Sequence, residues 1–225
     1  MLLSESVSAA TLPDRQRRFR ELHETGCFVI PNPWDAGSAK LLAQLGFQAL
    51  ATTSSGFAWT LGRADNTVTL DQALAHLRAV CEAVDVPVNA DFEGGFAIEP
   101  DDVGSNVLAA ALTGVAAARR ATDSSGSGVL LTGRSEGFIC GRSDFKETIR
   151  RLTAFAAAGA ECLDAPGIRA MANIKAVDAA VAPKPVNVLV SSDCTTVAES
   201  GTFTRMARAV PGSRLDGAFV TQKGK

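Results

Sequence analysis

Short β-prone apolar runs alternate along the chain with longer stretches in which apolar positions recur every three or four residues. Residues 13–25 open this pattern as an amphipathic helix, with Pro13 at its start and Phe19 and Leu22 on one face. Cys27-Phe28-Val29-Ile30 then reads as a strand ending at Pro31-Asn32-Pro33-Trp34-Asp35, and Ala36 to Leu45 as a helix closed by Gly46. The cycle repeats: strand 47–53 before helix 70–84, strand 86–92 before helix 100–113, strand 128–133 before helix 145–158, strand 161–164 before helix 170–181, and strand 185–190 before a short helical piece at 193–199. Such repetition predicts an α/β fold, and a (β/α)8 barrel accounts for it better than an open doubly wound sheet. Two places break the rhythm. After Gly114-Val115-Ala116 the chain passes straight into a second helical pattern at 117–122, and Gly201 to Lys225 shows no clear strand and an excess of basic residues. The expectation is one barrel domain over residues 1–225 lacking two strand segments, with a leading helix in 1–25 and a basic segment in 201–225.

Composition narrows the partners. A hydrophobic content of 46% with 20% charged residues is ordinary for a globular protein, and a net charge of −2 points to neither nucleic acid nor a membrane surface. No apolar run reaches the length of a membrane span, and the first residues lack the basic start and apolar stretch of a leader, so a soluble, cytoplasmic protein is expected. Cys27, Cys81, Cys140, Cys162 and Cys194 are scattered without a C-x-x-C pair, which fits reduced thiols rather than disulfides or zinc. Both histidines, His23 and His76, fall in helical stretches and are expected to pack, which argues against a histidine-based triad.

The candidate chemistry sits at predicted strand ends, where parallel sheets gather their ligands. Val86-Pro87-Val88-Asn89-Ala90-Asp91-Phe92-Glu93-Gly94-Gly95 ends an apolar run with two carboxylates two residues apart. Side chains alternate along a strand, so Asp91 and Glu93 should share a face. That arrangement suits Mg2+, which takes one or two protein carboxylates and leaves its other positions to water and substrate; it equally suits two solvated or salt-bridged acids. Two more strand ends, Thr52-Thr53 running into Ser54-Ser55-Gly56-Phe57 and Thr132 running into Gly133-Arg134-Ser135-Glu136, carry small and hydrogen-bonding residues in the same way. Glu136 is expected to orient Arg134 by an ion pair. Asp164 ends another strand, and Asn187 faces inward if its strand does.

Four ordered blocks resemble the isocitrate lyase and phosphoenolpyruvate mutase superfamily, especially its small bacterial members: Ile30-Pro31-Asn32-Pro33-Trp34-Asp35-Ala36-Gly37-Ser38-Ala39, Thr53-Ser54-Ser55-Gly56 with Leu61-Gly62-Arg63-Ala64-Asp65, Asn89-Ala90-Asp91-Phe92-Glu93-Gly94-Gly95, and Gly133-Arg134-Ser135-Glu136-Gly137-Phe138. The resemblance runs over roughly residues 14 to 200. It implies a (β/α)8 barrel that makes or breaks a C–C or P–C bond beside an α-oxoacid through a pyruvate-enolate-type intermediate, with Mg2+ or Mn2+ as cofactor and a homo-oligomeric assembly. Carried onto this chain, it implies that Asp91 and Glu93 hold the metal, that Ser55, Gly56 and Phe57 receive the substrate carboxylate, and that Asp65 and Arg134 lie at the reacting group. Trp34 and Asn187 are further candidates for substrate contact.

The chain also departs from that pattern. A further metal-holding glutamate, expected on a strand after Ala116, has no counterpart, nor has the gating loop whose cysteine sits in a Lys-rich, Gly-His motif. The family's final strand also has no clear counterpart after Glu199-Ser200. The expected activity is therefore that of a lyase or mutase acting on a small α-oxoacid, with weak cleavage of isocitrate-type substrates. The alternative is a non-catalytic homologue that keeps the fold and binds a small carboxylate or serves a structural role.

Overall fold

In the computed structural model, residues 11–24, 26–99, 102, 105–106, 130–189 and 205–210 are described. Helix α1 (Leu12–Leu22) starts from a reciprocal cap in which Thr11 and Asp14 satisfy each other's backbone N–H groups. After it come β1 (Gly26–Pro31), α2 (Ala36–Gln44), β2 (Leu50–Ala51), α3 (Ser54–Thr60), α4 (Leu70–Ala83), β3 (Val88–Asn89), β4 (Thr132–Arg134), α5 (Phe145–Ala157), β5 (Cys162–Asp164), α6 (Met171–Val181), β6 (Val186–Leu189) and β7 (Arg205–Val210). Asp35, Thr53, Thr69 and Asp144 each cap the following helix, accepting a backbone N–H three residues on. The predicted strands and helices up to residue 99 and from 130 to 189 are thus present, with β1 longer than expected and the other strands shorter. Those predicted at 100–113, 117–122 and 193–199 lie essentially outside the described residues.

The strands form a parallel β/α barrel wall. One sheet runs β1-β7-β6-β5-β4, entirely parallel, and β2 pairs with β3 beside it. Asn32 joins the two sheets: its amide donates to the Ala51 carbonyl at 2.8 Å, tying the end of β1 to β2. The segment after Gly201, expected to hold no strand, contains β7, which pairs with β1 on one side and β6 on the other. This corrects the expectation of a lost final strand. The arginines at 205 and 208 disguise the segment, and flanking strands rather than local propensity decide its conformation.

Strand alternation sorts the core into an interior and an outer layer. Phe28 and Ile30 of β1, Ala51 of β2, Leu130 and Cys162 pack together as the barrel interior, joined at one end by Phe19 of α1. Leu50, Val88 and the inner faces of α2 and α4 form one outer cluster; Leu163, Val186, Val188 and the inner faces of α5 and α6 form another. Gly133 belongs to the outer layer, where a Cβ would lie 2.9 Å from that of Phe155, so glycine lets α5 close on the sheet. The opposite parity sends Arg134, Asp164 and Asn187 to the interior side at the carboxyl ends of their strands. Among the described residues, no helix is long and apolar enough to cross a membrane.

Candidate active site

Three neighbouring strands place the first half of the site. Arg134 of β4 is in register with Asp164 of β5, and Asp164 with Asn187 of β6, so the three form a row across the barrel mouth. Arg134 reaches Glu136 at 3.0 Å, Asp91 at 3.4 Å and Asp164 at 3.7 Å. The ion pair expected between Arg134 and Glu136 is present. Burial works against the charge on Arg134, but Asp91, Asp164, Glu136 and Asp65 outweigh it and raise its pKa above the ordinary arginine value.

Asp91 links this row to a second group. Its Oδ1 faces Arg134, while its Oδ2 accepts from the backbone N–H and hydroxyl of Ser54 at 3.2 and 3.1 Å. Its own N–H donates to Thr52 Oγ1 at 2.9 Å. Ser54 also approaches Asp65 Oδ1 at 3.4 Å, and this carboxylate is further held by the Asn66 N–H at 2.9 Å. Asp91 and Glu93 line a common open cleft with Thr52, Ser54, Phe57 and His76.

Convergence of the two acids has a different cause from the one the sequence suggested. Strand β3 ends at Asn89, so Asp91 and Glu93 lie beyond it rather than on one strand face. Glu93 instead enters the cleft from a turn in which its own φ is +48° and the Gly95 N–H closes on the Phe92 carbonyl at 2.9 Å. A left-handed glutamate is strained by about 1–3 kcal/mol, a cost that the surrounding packing must hold in place. Burial, reinforced by Asp65, Asp91 and Glu136, raises the Glu93 pKa, and its Oε1 is buried without a partner.

The remaining candidates separate. Ser55 is turned to Thr53 Oγ1 at 3.1 Å, and it is Ser54, one residue earlier, that reaches Asp91. Gly56 gives its N–H to Thr53 Oγ1 at 3.3 Å, and its missing side chain makes room for Trp34, whose Cδ1 would lie 2.6 Å from a Cβ. Trp34 packs edge-on to Trp59 at 5.8 Å rather than lining the cleft. Phe57 does line it, stacked on His76 with ring centroids 3.9 Å apart. His76, expected only to pack, therefore also forms a wall of the cleft. Its Nε2 is buried without a partner, and burial lowers its pKa to about 4, so the ring is neutral near pH 7. His23 does pack: it is buried between Phe19 and Phe28 in edge-to-face contacts. Asn187 is buried with Oδ1 unpartnered, and Asp164 is buried with Oδ1 unpartnered and a pKa raised by burial to about 6, Arg134 notwithstanding.

Four carboxylates, Asp91, Asp164, Glu136 and Asp65, thus act on the Arg134 guanidinium, and Glu93 faces three of the same acids, leaving an excess of negative charge among these groups that a divalent cation would offset. Among the described residues, no three metal-type side chains form a ready cage. Asp91 and Glu93, with an unspent Glu93 oxygen, do fit Mg2+, whose sites commonly use one or two carboxylates and complete themselves with water and substrate phosphate or oxygen groups.

Residues 19–118 and 108–209 match the phosphoenolpyruvate phosphomutase family. An uncharacterized protein of Mycobacterium tuberculosis is 34% identical over 98 residues, which are 43% of this chain and 38% of that protein; the chain therefore spans well under half the length of this relative. The crystal structure of a candidate lyase/mutase from Burkholderia cenocepacia is 36% identical, with a TM-score of 0.81, covering 93% of this chain and 87% of that one. A phosphonopyruvate hydrolase solved with oxalate and Mg2+ shares the fold at 18% identity and a TM-score of 0.78, covering 93% of this chain and 84% of its own.

Proposed function

The chain belongs to the phosphoenolpyruvate phosphomutase family, and from that premise we propose that it is a Mg2+-dependent lyase or mutase that makes or breaks a C–C or P–C bond beside an α-oxoacid. The observation that carries this reading is the meeting of Asp91, Glu93 and Arg134 at the carboxyl ends of the strands, with buried oxygen atoms left unspent. Asp91 and Glu93 would hold the metal, which when bound supplies Lewis-acid stabilisation of negative charge on the oxoacid oxygens.

The protein's own groups divide the remaining work. Arg134 offers a planar fork to the oxoacid carboxylate, and Glu136, 3.0 Å away, fixes its orientation. Ser54 steadies Asp91 through two hydrogen bonds, so that its carboxylate is held before substrate arrives. Asp65, 3.4 Å from the Ser54 hydroxyl, would be the acid beside the reacting group. Phe57 and His76 close the apolar wall, limiting water at the centre where charge develops. Donors fixed in advance around a developing enolate lower the barrier more than they favour the resting substrate. The assembled, charged mouth and the family membership do not favour the alternative of a non-catalytic homologue. The soluble, cytoplasmic, homo-oligomeric protein of a single domain remains part of this proposal.

The test is metal affinity. Asp91→Asn keeps the shape of the side chain but removes the charge that offsets the cation, so calorimetry should show Mg2+ or Mn2+ binding weakened about tenfold or more. Equal affinity in the two proteins would remove Asp91 from the metal site.

A further inference from the structure

Asp164 and Asn187 stand apart from the roles assigned above. They occupy one register row on adjacent strands, only 5% and 9% exposed, and each keeps one side-chain oxygen, Oδ1, without a hydrogen-bond partner. The Asn187 side chain hydrogen-bonds Asp164, so the two groups face one another, yet each keeps Oδ1 open; buried acceptors left open are uncommon because each forfeits its hydration for nothing, so the pair can take a donor from a ligand. Arg134 lies over Asp164, but its Nε is 3.7 Å from Oδ2 and is itself unpartnered. Arg134 therefore holds Asp164 by charge rather than by a hydrogen bond, and its Nε is left to donate to a ligand beside the pair.

We propose that Asp164 and Asn187 form an acceptor pair that fixes substrate specificity, selecting oxoacids whose group next to the reacting carbon carries a hydroxyl and rejecting those that carry a phosphonate. This rests on the oxoacid reading above and deepens it. A hydroxyl can donate to Asp164 or Asn187 while accepting from the idle Arg134 Nε, which matches the nitrogen and one of the two unspent oxygens. A phosphonate brings only acceptor oxygens and up to two negative charges toward a carboxylate, so it gains nothing from the pair and is repelled by it. The acceptor pair thus favours C–C chemistry over P–C chemistry at this mouth.

Three probes that differ at one carbon test it: pyruvate, 3-hydroxypyruvate and 3-phosphonopyruvate, titrated calorimetrically into the purified protein with Mg2+ present. Hydroxypyruvate should bind at least tenfold more tightly than phosphonopyruvate. In Asp164→Asn, which removes the charge and adds an N–H donor, that ratio should collapse toward one while pyruvate affinity stays within about twofold. Asn187→Leu, which removes an acceptor and adds no charge, should weaken hydroxypyruvate alone, and it decides the matter if Asp164→Asn does not fold. Pyruvate binding with an unchanged ratio in either folded variant overturns the specificity role while leaving the oxoacid reading intact. No binding of pyruvate to the unaltered protein overturns both.

Discussion

The two ends of the barrel are built on opposite principles. At the amino ends of the strands, Phe19, His23 and Phe28 interlock edge to face, and His23 Nδ1 is bonded to the Phe19 carbonyl at 2.7 Å. Around them Arg15 donates to the Cys81 carbonyl at 2.8 Å and pairs with Asp85 at 3.2 Å, and Arg20 pairs with Glu161. At the carboxyl ends, Glu93, Arg134, Asp164 and Asn187 each hold a buried polar atom without a partner, and Glu93 takes a left-handed backbone. One end has been satisfied and the other left wanting. Stability is concentrated where no ligand comes, and the free energy withheld at the mouth is available to whatever binds there.

Substitutions at each end should separate the two. Phe19→Ala empties the closed end and should destabilise the protein by about 3–5 kcal/mol in urea unfolding, while metal affinity below the transition stays as it was. A parallel loss of metal affinity would mean that the ends are not independent. At the open end, Arg134→Lys preserves charge but removes the fork; it should lower kcat/KM by about 1.5–3 kcal/mol of transition-state stabilisation and leave the melting temperature nearly unmoved. A fall in melting temperature with oxalate affinity intact would reduce Arg134 to a structural partner of Glu136. Gly56→Ala lies between these extremes, because the new methyl must displace Trp34 and Thr53; a loss of about 1–3 kcal/mol in thermal unfolding is expected.

The smallest effect is on pH dependence, and it has two opposed contributors. His76 is held below its ordinary pKa, at about 4, so between pH 6.5 and 4 the unfolded chain binds the proton more readily, and stability falls as acid is added. Asp164, raised from 3.8 to about 6, does the reverse: its contribution is present below its unfolded pKa and is lost as pH rises through 6. His76→Phe keeps the stack on Phe57 and removes only the first of these. The melting temperature at pH 5 should then rise relative to that at pH 7, because only the Asp164 contribution is left between them. No relative rise at pH 5 would show that His76 is not the acid-sensitive group.

How far the sequence discloses this arrangement depends on the range over which each feature is determined. Caps and helical periodicity are local, and α2, α4 and α5 were predicted within a residue or two of their observed ends. Strand β7 was hidden because its pairing partners, β1 and β6, lie far away along the chain, and register cannot be read from one segment alone. The same distinction runs through the site. Asp91, Glu93 and Arg134 were legible as acids and an arginine beside glycines at strand ends, but the left-handed turn that delivers Glu93 was not. A one-residue ambiguity hid Ser54: either serine could have faced the site until Thr53 took the capping position. The joint placement of Asp164 and Asn187 emerges only from the alignment of neighbouring strands.

The parallel pairing of β1 with β7 joins residues 26–31 to residues 205–210. Such a seam cannot form during most of synthesis, because the strand that completes it is among the last described parts of the chain to leave the ribosome. Until then β1 and β6 present rows of free N–H and C=O groups to any passing strand. Closure must also await a contact that is nearly as distant in sequence as the fold allows, which makes for slow folding. A nascent chain stalled before residue 205 would be a barrel wall left open between β1 and β6, with both strand edges adhesive.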